Sequence, residues 1–101
     1  MNIAVYCGSA SGNRPSFTEG AKALGSWIAQ NGHTLVYGGS RTGLMGVTAD
    51  AVLAGGGKVI GVIPDVKLIQ ERRHPGLTAY IETKDMAERK AKMMEIADAY
   101  V

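Results

Sequence analysis

The segment from Thr34 to Gly46 limits the possible folds of this chain more than any other. A short apolar run, Thr34–Tyr37, leads into a glycine-rich stretch, and helical sequence begins near Leu44. This order predicts a buried strand, a tight turn and a helix N-terminus, as in α/β proteins. Glycine allows close backbone approach, and the free N–H groups of a helix N-terminus favour an anion such as phosphate. The junction alone fits anion binding and close helix–sheet packing equally well.

Strand-like and helix-like segments alternate along the whole chain. Apolar runs predict buried strands at 3–7, 34–37, 59–63, 79–82 and 99–101. Helical spacing of apolar residues predicts helices at about 15–30, 44–54 and 83–97, with residues 65–77 irregular or briefly helical. The alternation predicts an α/β fold, a Rossmann-like doubly wound parallel sheet with helices on both faces and the first strand at its centre.

The last predicted strand begins at Ala99, and the sequence ends at Val101. The sheet would therefore be truncated after the start of its fourth major strand, leaving one flank of a central strand open. We expect residues 1–101 to be the N-terminal portion of one longer domain. A short complete protein would instead need a partner chain to cover that edge.

Composition excludes several classes of function. The formal net charge is +2 and no run of Lys or Arg forms a basic stripe, so a nucleic-acid polymer is not expected as a partner. The sequence contains no apolar stretch of transmembrane length, and strand-like sequence from Asn2 leaves no room for a signal peptide. The single cysteine, Cys7, excludes an internal disulfide, and no Cys/His cluster has metal-ligand spacing. We therefore expect a cytoplasmic protein without a metal site.

The loops lack the motifs of two large nucleotide-binding classes. A dinucleotide-binding Rossmann unit carries an acidic residue at the end of its second strand, where this chain has Tyr37 followed by two glycines. The first loop, 8–12, lacks the G-x-G-x-x-G spacing, and no P-loop pattern is present. Two small-residue loops at the carboxyl ends of adjacent strands favour a mononucleotide or a sugar phosphate.

The helix predicted from Thr83, its expected cap, to about Ala97 contains an anomaly. Its core-facing stripe is formed by three apolar residues: Met86, Met93 and Ala97. Arg89 and Lys90 fall on or beside that stripe, and an unpaired cation in an apolar setting needs an anion. Alternatively, Arg89 pairs with Asp85 one turn earlier and Lys90 extends to water.

Other polar residues are weaker candidates. His33 lies in a helix-to-strand turn and is interpreted as structural. His74 is interpreted as a loop residue, with a place in a cleft wall as the alternative. Arg14 and Arg41 lie in or next to the glycine-rich loops and could reach a phosphate, although solvated arginines are the commoner case.

Several motifs at consistent spacing resemble the lonely-guy family, whose members are cytokinin riboside 5′-monophosphate phosphoribohydrolases, many still labelled possible lysine decarboxylases. The resemblance covers the chain in order and rests on these segments: Cys7–Ser9, Val36–Gly39, Gly43–Gly46, Val59–Pro64 and Met86–Ala91. It implies a nucleotide-binding domain, a cytoplasmic homodimer and no cofactor. It also implies hydrolysis of the N-glycosidic bond of a nucleoside 5′-monophosphate, such as AMP or a cytokinin nucleotide, to the free base and ribose 5-phosphate.

The resemblance also implies roles for individual residues. Arg89 matches the family's catalytic arginine, and Lys90 and Glu71 match nucleotide-contacting residues. The backbone walls of the pocket match Gly8, Ser9, Gly43, Met45 and Gly46. This sequence departs from the family at Ala87, where histidine is usual, and at Ser40, where a third glycine is frequent.

One part of the family pattern lies beyond Val101. The family's Pro-Gly-Gly-x-Gly-Thr-x-x-Glu motif follows the strand that begins at Ala99, and it supplies the phosphate-binding helix N-terminus and the catalytic glutamate. We therefore expect residues 1–101 alone to be inactive. Two alternatives remain open: a non-catalytic module that binds a purine nucleotide, and a fragment that folds only on a partner.

Overall fold

Five strands and three helices make up the part of the chain that the structure describes. The structure is a computed structural model, and the described residues are 1–5, 15–39, 41, 43–65, 67, 71 and 73–100. The elements in chain order are β1 (Asn2–Ala4), α1 (Pro15–Gln30), β2 (Thr34–Tyr37), α2 (Gly43–Ala54), β3 (Lys58–Pro64), β4 (Ala79–Thr83), α3 (Met86–Ile96) and β5 (Ala99–Tyr100).

The strands form one parallel sheet in the order β4-β3-β2-β1-β5. The internal strand β1 places Ile3 opposite Leu35 of β2 on one side and opposite Ala99 of β5 on the other. Strands β2 and β3 therefore extend the sheet in one direction and β5 begins the other. The predicted α/β, Rossmann-like parallel sheet is confirmed, with β1 inside the sheet between β2 and β5, whereas the middle strand of the five is β2.

Alternation along the strands sends side chains to the two faces of the sheet. One face is covered by α1 and α2, which pack on a cluster that includes Ile3, Leu35 and Val59. The opposite face is covered by α3, where Met93 packs against a second cluster of Ala4, Val36 and Val62. Because successive strand residues point to opposite faces, β1, β2 and β3 each contribute to both clusters. Helices on both faces are therefore confirmed.

The two helices on one face approach each other closely at a glycine. A Cβ added at Gly25 of α1 would lie 2.5 Å from the carbonyl oxygen of Thr48 and 2.7 Å from Cβ of Ala51, both on α2. Such distances are shorter than atoms of real side chains adopt, so glycine is needed where α1 and α2 cross.

The start of α3 differs from the prediction. Asp85, not Thr83, caps the helix, because its carboxylate accepts a hydrogen bond of 2.9 Å from the backbone N–H of Glu88. Thr83 is instead the last residue of β4, buried, with its hydroxyl donating to the carbonyl of Asp85 at 3.3 Å. Met86, which we expected in the core-facing stripe, is 46% exposed. Of that stripe, Met93 is buried as predicted and Ala97 is partly buried against the same cluster.

Some predictions fall outside the described residues. The predicted first strand extends to Cys7 and the last to Val101, and the structure describes neither of these two residues. The same holds for Arg14, Ser40 and the first small-residue loop, 8–12.

Candidate functional site

The candidate site begins where β2 ends, at Gly38 and Gly39. In parallel sheets, ligands bind outside the carboxyl ends of the strands, and this edge carries the glycine turn. Gly39 has φ +84°, a left-handed conformation that favours glycine. A Cβ at Gly39 would also lie 2.6 Å from Cγ1 of Ile63 on β3. The turn is therefore fixed against the end of the neighbouring strand.

The N-terminal turn of α2 packs tightly on the residues before it. A Cβ at Gly46 would collide with the carbonyl group of Arg41, whose side chain is exposed. Met45 is 6% exposed and belongs to the core on the α1–α2 face. The side chain of Met45 therefore points into the core and would not meet a ligand at this turn.

Arg89 projects from α3 toward the glycine turn. A Cβ at Gly38 would lie 2.9 Å from Nη1 and 3.4 Å from Cζ of Arg89, so the guanidinium packs where Gly38 lacks a side chain. The residue is partly buried, and its Nε is buried without a hydrogen-bond partner. An arginine donates through up to five N–H groups, and leaving a buried one unmet is costly. The structure thus brings together Arg89 and Gly38, which are far apart in sequence.

Asp85, the alternative partner for Arg89, uses its carboxylate to cap α3. The carboxylate of Asp85 caps α3, and only its backbone carbonyl accepts a hydrogen bond from Arg89, through the backbone N–H at 3.0 Å. The ion pairs within the described ranges join Lys92 to Glu95 and His74 to Asp50. Neither includes Arg89, so the interpretation of an Arg89–Asp85 ion pair is wrong.

The other predicted site residues are not brought to Arg89 by any described contact. Lys90 is the next residue on α3 and is exposed, and Glu71 is exposed in the connection between β3 and β4. Gly8 and Ser9 lie outside the described residues. Their roles remain predictions.

A histidine in the connection between β3 and β4 also reaches the glycine turn. His74 is 8% exposed, and its backbone N–H donates to the carbonyl of Gly39 at 2.8 Å. Its ring joins this connection to α2 through a hydrogen bond of 2.5 Å between Nε2 and Oδ1 of Asp50. The sequence predicts a loop residue at His74, with a cleft wall as the alternative, because no local pattern shows which distant segments a loop side chain will meet.

Tyr37, the last residue of β2, is fully buried beneath the turn. Burial and, to a smaller extent, the negative charge of Asp50 raise the pKa of the Tyr37 phenol well above its ordinary value. The phenol therefore keeps its proton in the folded chain at pH values where an exposed tyrosine loses it.

The described residues lack two further features. Within those ranges, no group of three or more His, Cys, Asp or Glu side chains could hold a metal ion. Within the same part of the chain, no helix has the length and apolar character required to cross a lipid bilayer.

A family match spans the chain. The family described as LDcluster4, the SLOG cluster4 family, matches residues 1–101. The chain belongs to this family. A SLOG cluster4 assignment agrees with the resemblance seen in the glycine turns and in the Arg89–Lys90 segment, and that resemblance is confirmed.

Curated relatives of this SLOG cluster4 chain share one name. A cytokinin riboside 5′-monophosphate phosphoribohydrolase from Rhodococcoides fascians is 43% identical over 99% of this chain, which covers 51% of the relative. A protein of the same name from Arabidopsis thaliana is 41% identical over 98% of this chain, which covers 46% of that relative. The chain thus spans about half the length of the curated relatives it matches.

Solved structures support the fold. The X-ray structure of TM1055, a structural genomics target, aligns with a TM-score of 0.78 and 27% identity over 98% of this chain and 58% of that one. The structure of a Moco carrier protein from Chlamydomonas reinhardtii aligns with a TM-score of 0.69 and 26% identity over 81% of this chain and 48% of that one.

Proposed function

We propose that the full-length protein is a nucleoside 5′-monophosphate phosphoribohydrolase. Water adds across the N-glycosidic bond, so that its hydroxyl group joins C1′ of the ribose and its remaining proton leaves with the base. The products are the free base and ribose 5-phosphate. The observation that carries the proposal is the guanidinium of Arg89, which lies against Gly38 at the carboxyl end of the sheet with a buried, unpartnered Nε.

The physical argument is charge compensation. A partly buried cation with no carboxylate partner among the described residues is stabilised when an anionic ligand occupies the neighbouring space. Gly38 is half-buried and lacks a side chain, so a ligand can approach its backbone closely at that place, and a nucleotide supplies the anion. The names of the curated relatives support a cytokinin or purine nucleoside 5′-monophosphate as the ligand.

The proposed roles follow from this placement. Arg89 contacts the nucleotide and offsets charge that develops during bond cleavage. Cleavage gives the ribose oxocarbenium character, which a carboxylate stabilises, and we place that carboxylate outside residues 1–101. Lys90 and Glu71 contact the nucleotide from exposed positions. The backbone at Gly8, Ser9, Gly43, Met45 and Gly46 forms pocket walls. We further propose that the enzyme acts as a homodimer in the cytoplasm.

The test is an assay of the full-length protein with AMP and with isopentenyladenosine monophosphate, in which chromatography follows free base and ribose 5-phosphate. Arg89→Ala should lower kcat/KM about 100-fold to 1,000-fold, because a preorganised charged donor is lost. Arg89→Lys should recover little, since an ammonium group lacks the planar fork of the guanidinium.

Lys92→Ala is the matched control on the same helix. Lys92 already pairs with Glu95 at 3.4 Å and needs no ligand anion, so its removal should leave kcat/KM within about twofold, as expected for a surface ion pair. Full activity in folded Arg89→Ala, or no base release by the wild type from either nucleotide, would contradict the proposal.

A second candidate is a non-catalytic module that binds a purine nucleotide. The likeness to a solved structure titled as a Moco carrier protein favours it, because that title describes carriage and not hydrolysis on a similar fold. Calorimetry distinguishes the two functions. A binding module would retain AMP with a measurable Kd and release no base over hours, whereas the hydrolase would yield ribose 5-phosphate.

A further inference from the structure

Among the described residues of the connection between β3 and β4, the buried His74 hydrogen-bonds to the glycine turn. Its backbone N–H donates to the Gly39 carbonyl at 2.8 Å. Its ring is held on both nitrogens, by the backbone N–H of Gly76 at 2.9 Å from Nδ1 and by Oδ1 of Asp50 at 2.5 Å from Nε2. His74 thus links three segments: the glycine turn, the helix α2 and its own loop.

The hydrogen bonds fix which ring nitrogen of His74 carries the proton. The N–H of Gly76 can only donate, so Nδ1 must accept and has no hydrogen. Nε2 therefore carries the proton and donates it to Asp50, whose carboxylate can only accept. A histidine ring with its proton on Nε2 satisfies both partners at once.

The link continues from His74 to Arg89 through the turn. Gly39 is bonded to His74 on one side and packs on Ile63 on the other, so the turn has little freedom. The adjacent Gly38 forms the surface on which the Arg89 guanidinium lies. A shift of the 38–39 backbone would therefore move the surface that sets the position of the guanidinium.

We propose that His74 is a positioning residue, which anchors the Gly38–Gly39 turn to α2 and thereby sets where the Arg89 guanidinium lies. The inference deepens the proposed function and rests on it, because it assumes that Arg89 contacts the nucleotide. His74 itself touches no reacting atom in this scheme. Its effect on turnover passes through Gly39 and Gly38.

The experiment follows Arg89 directly in the full-length protein. NMR of the arginine Nε–H groups, with the Arg89 signal assigned by its loss in Arg89→Lys, reports the surroundings of this guanidinium. His74→Ala should shift the Arg89 signal and speed its exchange with water about tenfold. It should also lower kcat/KM for base release about tenfold to 100-fold, since small misplacements of a positioned group cost this much. His74→Gln, which can still donate to Asp50, should recover part of both.

His33→Ala is the control, because His33 precedes the opposite end of β2 and packs on Trp27 with ring centroids 5.3 Å apart. It should leave the Arg89 signal in place. A double variant, His74→Ala with Arg89→Ala, should be no worse than Arg89→Ala alone, because His74 acts only through Arg89. Additive losses in kcat/KM, or an unchanged Arg89 signal in folded His74→Ala, would overturn the inference.

Two further outcomes are interpretable. If His74→Ala does not fold, Asp50→Ala removes the same hydrogen bond from a residue whose side chain is 68% exposed, and it should reproduce the NMR change. If the wild type releases no base, the proposed function fails, while the NMR comparison still supports or refutes the positioning of Arg89 by His74.

Discussion

Gly38 and Gly39 are neighbours, yet the structure gives each a different reason to be glycine. At Gly38 the space of a missing side chain is filled by the guanidinium of Arg89, the end of a flexible side chain. At Gly39 the backbone has φ +84° and the branched side chain of Ile63 fills the space. Gly38 leaves room for the guanidinium of Arg89, whereas Gly39 allows the chain to turn.

Alanine substitution should separate these two roles. Gly38→Ala should leave the free energy of unfolding within about 1 kcal/mol, because a flexible side chain can give way. It should nevertheless lower kcat/KM of the full-length protein about tenfold, by displacing the guanidinium. Gly39→Ala should destabilise by about 1–3 kcal/mol, since an L-residue is strained at that φ. Urea unfolding and the base-release assay give the comparison, and equal effects of the two substitutions would contradict it.

Tyr37 gives a prediction for alkaline pH. Burial raises the pKa of its phenol, so above the ordinary value of about 10 the unfolded chain loses this proton while the folded chain keeps it. The stability that this group contributes is complete below about pH 10 and is lost as the pH rises further, by up to about 1.4 kcal/mol per pH unit.

The measurement is urea unfolding of the wild type and Tyr37→Phe between pH 8 and pH 11. The Tyr37→Phe variant has no phenol to ionise, so it should not lose stability for this reason at alkaline pH. The difference in unfolding free energy between the two proteins should therefore change only at the upper end of this pH range. Tyr80→Phe removes a tyrosine that is 50% exposed and should show no such change. If the unfolding free energies of the wild type and Tyr37→Phe changed in parallel with pH, burial would not be raising the pKa of Tyr37.

At the scale of elements, the crossing of α1 and α2 depends on one small residue. Gly25→Ala would push a methyl group into the backbone carbonyl of Thr48 and into Ala51, neither of which can rotate away. We expect a loss of about 1–3 kcal/mol in unfolding free energy, as for other overpacked sites. Gly20→Ala is the matched control on the same helix, because a Cβ there meets nothing within 4 Å. Helix propensity alone should make Gly20→Ala stabilising by up to about 1 kcal/mol, and both values can be read from thermal or urea unfolding.

The elements were predictable to the extent that local pattern decides them. The bounds of β2 agree with prediction because an apolar run lies between a turn histidine, His33, and a glycine, Gly38. The prediction that Thr83 caps α3 was wrong. Thr83 and Asp85 are both residue types that favour the cap position, and β4 continues through Thr83. Exposure of Met86 was also missed, since periodicity identifies a helical face without showing how far the sheet extends beneath it.

The candidate site was predictable only in its parts. A charged residue on an apolar helical face singled out Arg89, and a glycine-rich turn singled out residues 38–46. That the two meet depends on α3 lying across the sheet from α1 and α2, at the end of β2. No local sequence pattern predicts this contact. The hydrogen bonds that join His74 to Gly39 and Asp50 were not predicted either, because they also link segments that are distant in sequence.

At the scale of the whole molecule, the described residues supply one half of the chemistry that we propose. In this proposal Arg89 binds and orients the anionic nucleotide, but stabilising an oxocarbenium-like ribose and activating water require a carboxylate beside the sugar. The carboxylates of the described part of the chain make no ion pair with Arg89, and the curated relatives are about twice as long as this chain. The proposal therefore predicts that nucleotide binding and bond cleavage can be separated.

Residues 1–101 expressed alone should show no release of ribose 5-phosphate above the uncatalysed background from AMP or isopentenyladenosine monophosphate. The reason is the absence of the proposed carboxylate, so the prediction applies even where the fragment is folded, which circular dichroism and cooperative urea unfolding would establish. Mixing in the remainder of the full-length protein as a separate polypeptide should restore turnover if the halves assemble, because Arg89 and the carboxylate would then share one site. Arg89→Ala in the fragment should abolish that restoration. Turnover by the fragment alone would instead mean that a carboxylate within residues 1–101 performs the chemistry, and Glu71 would be the first residue to substitute.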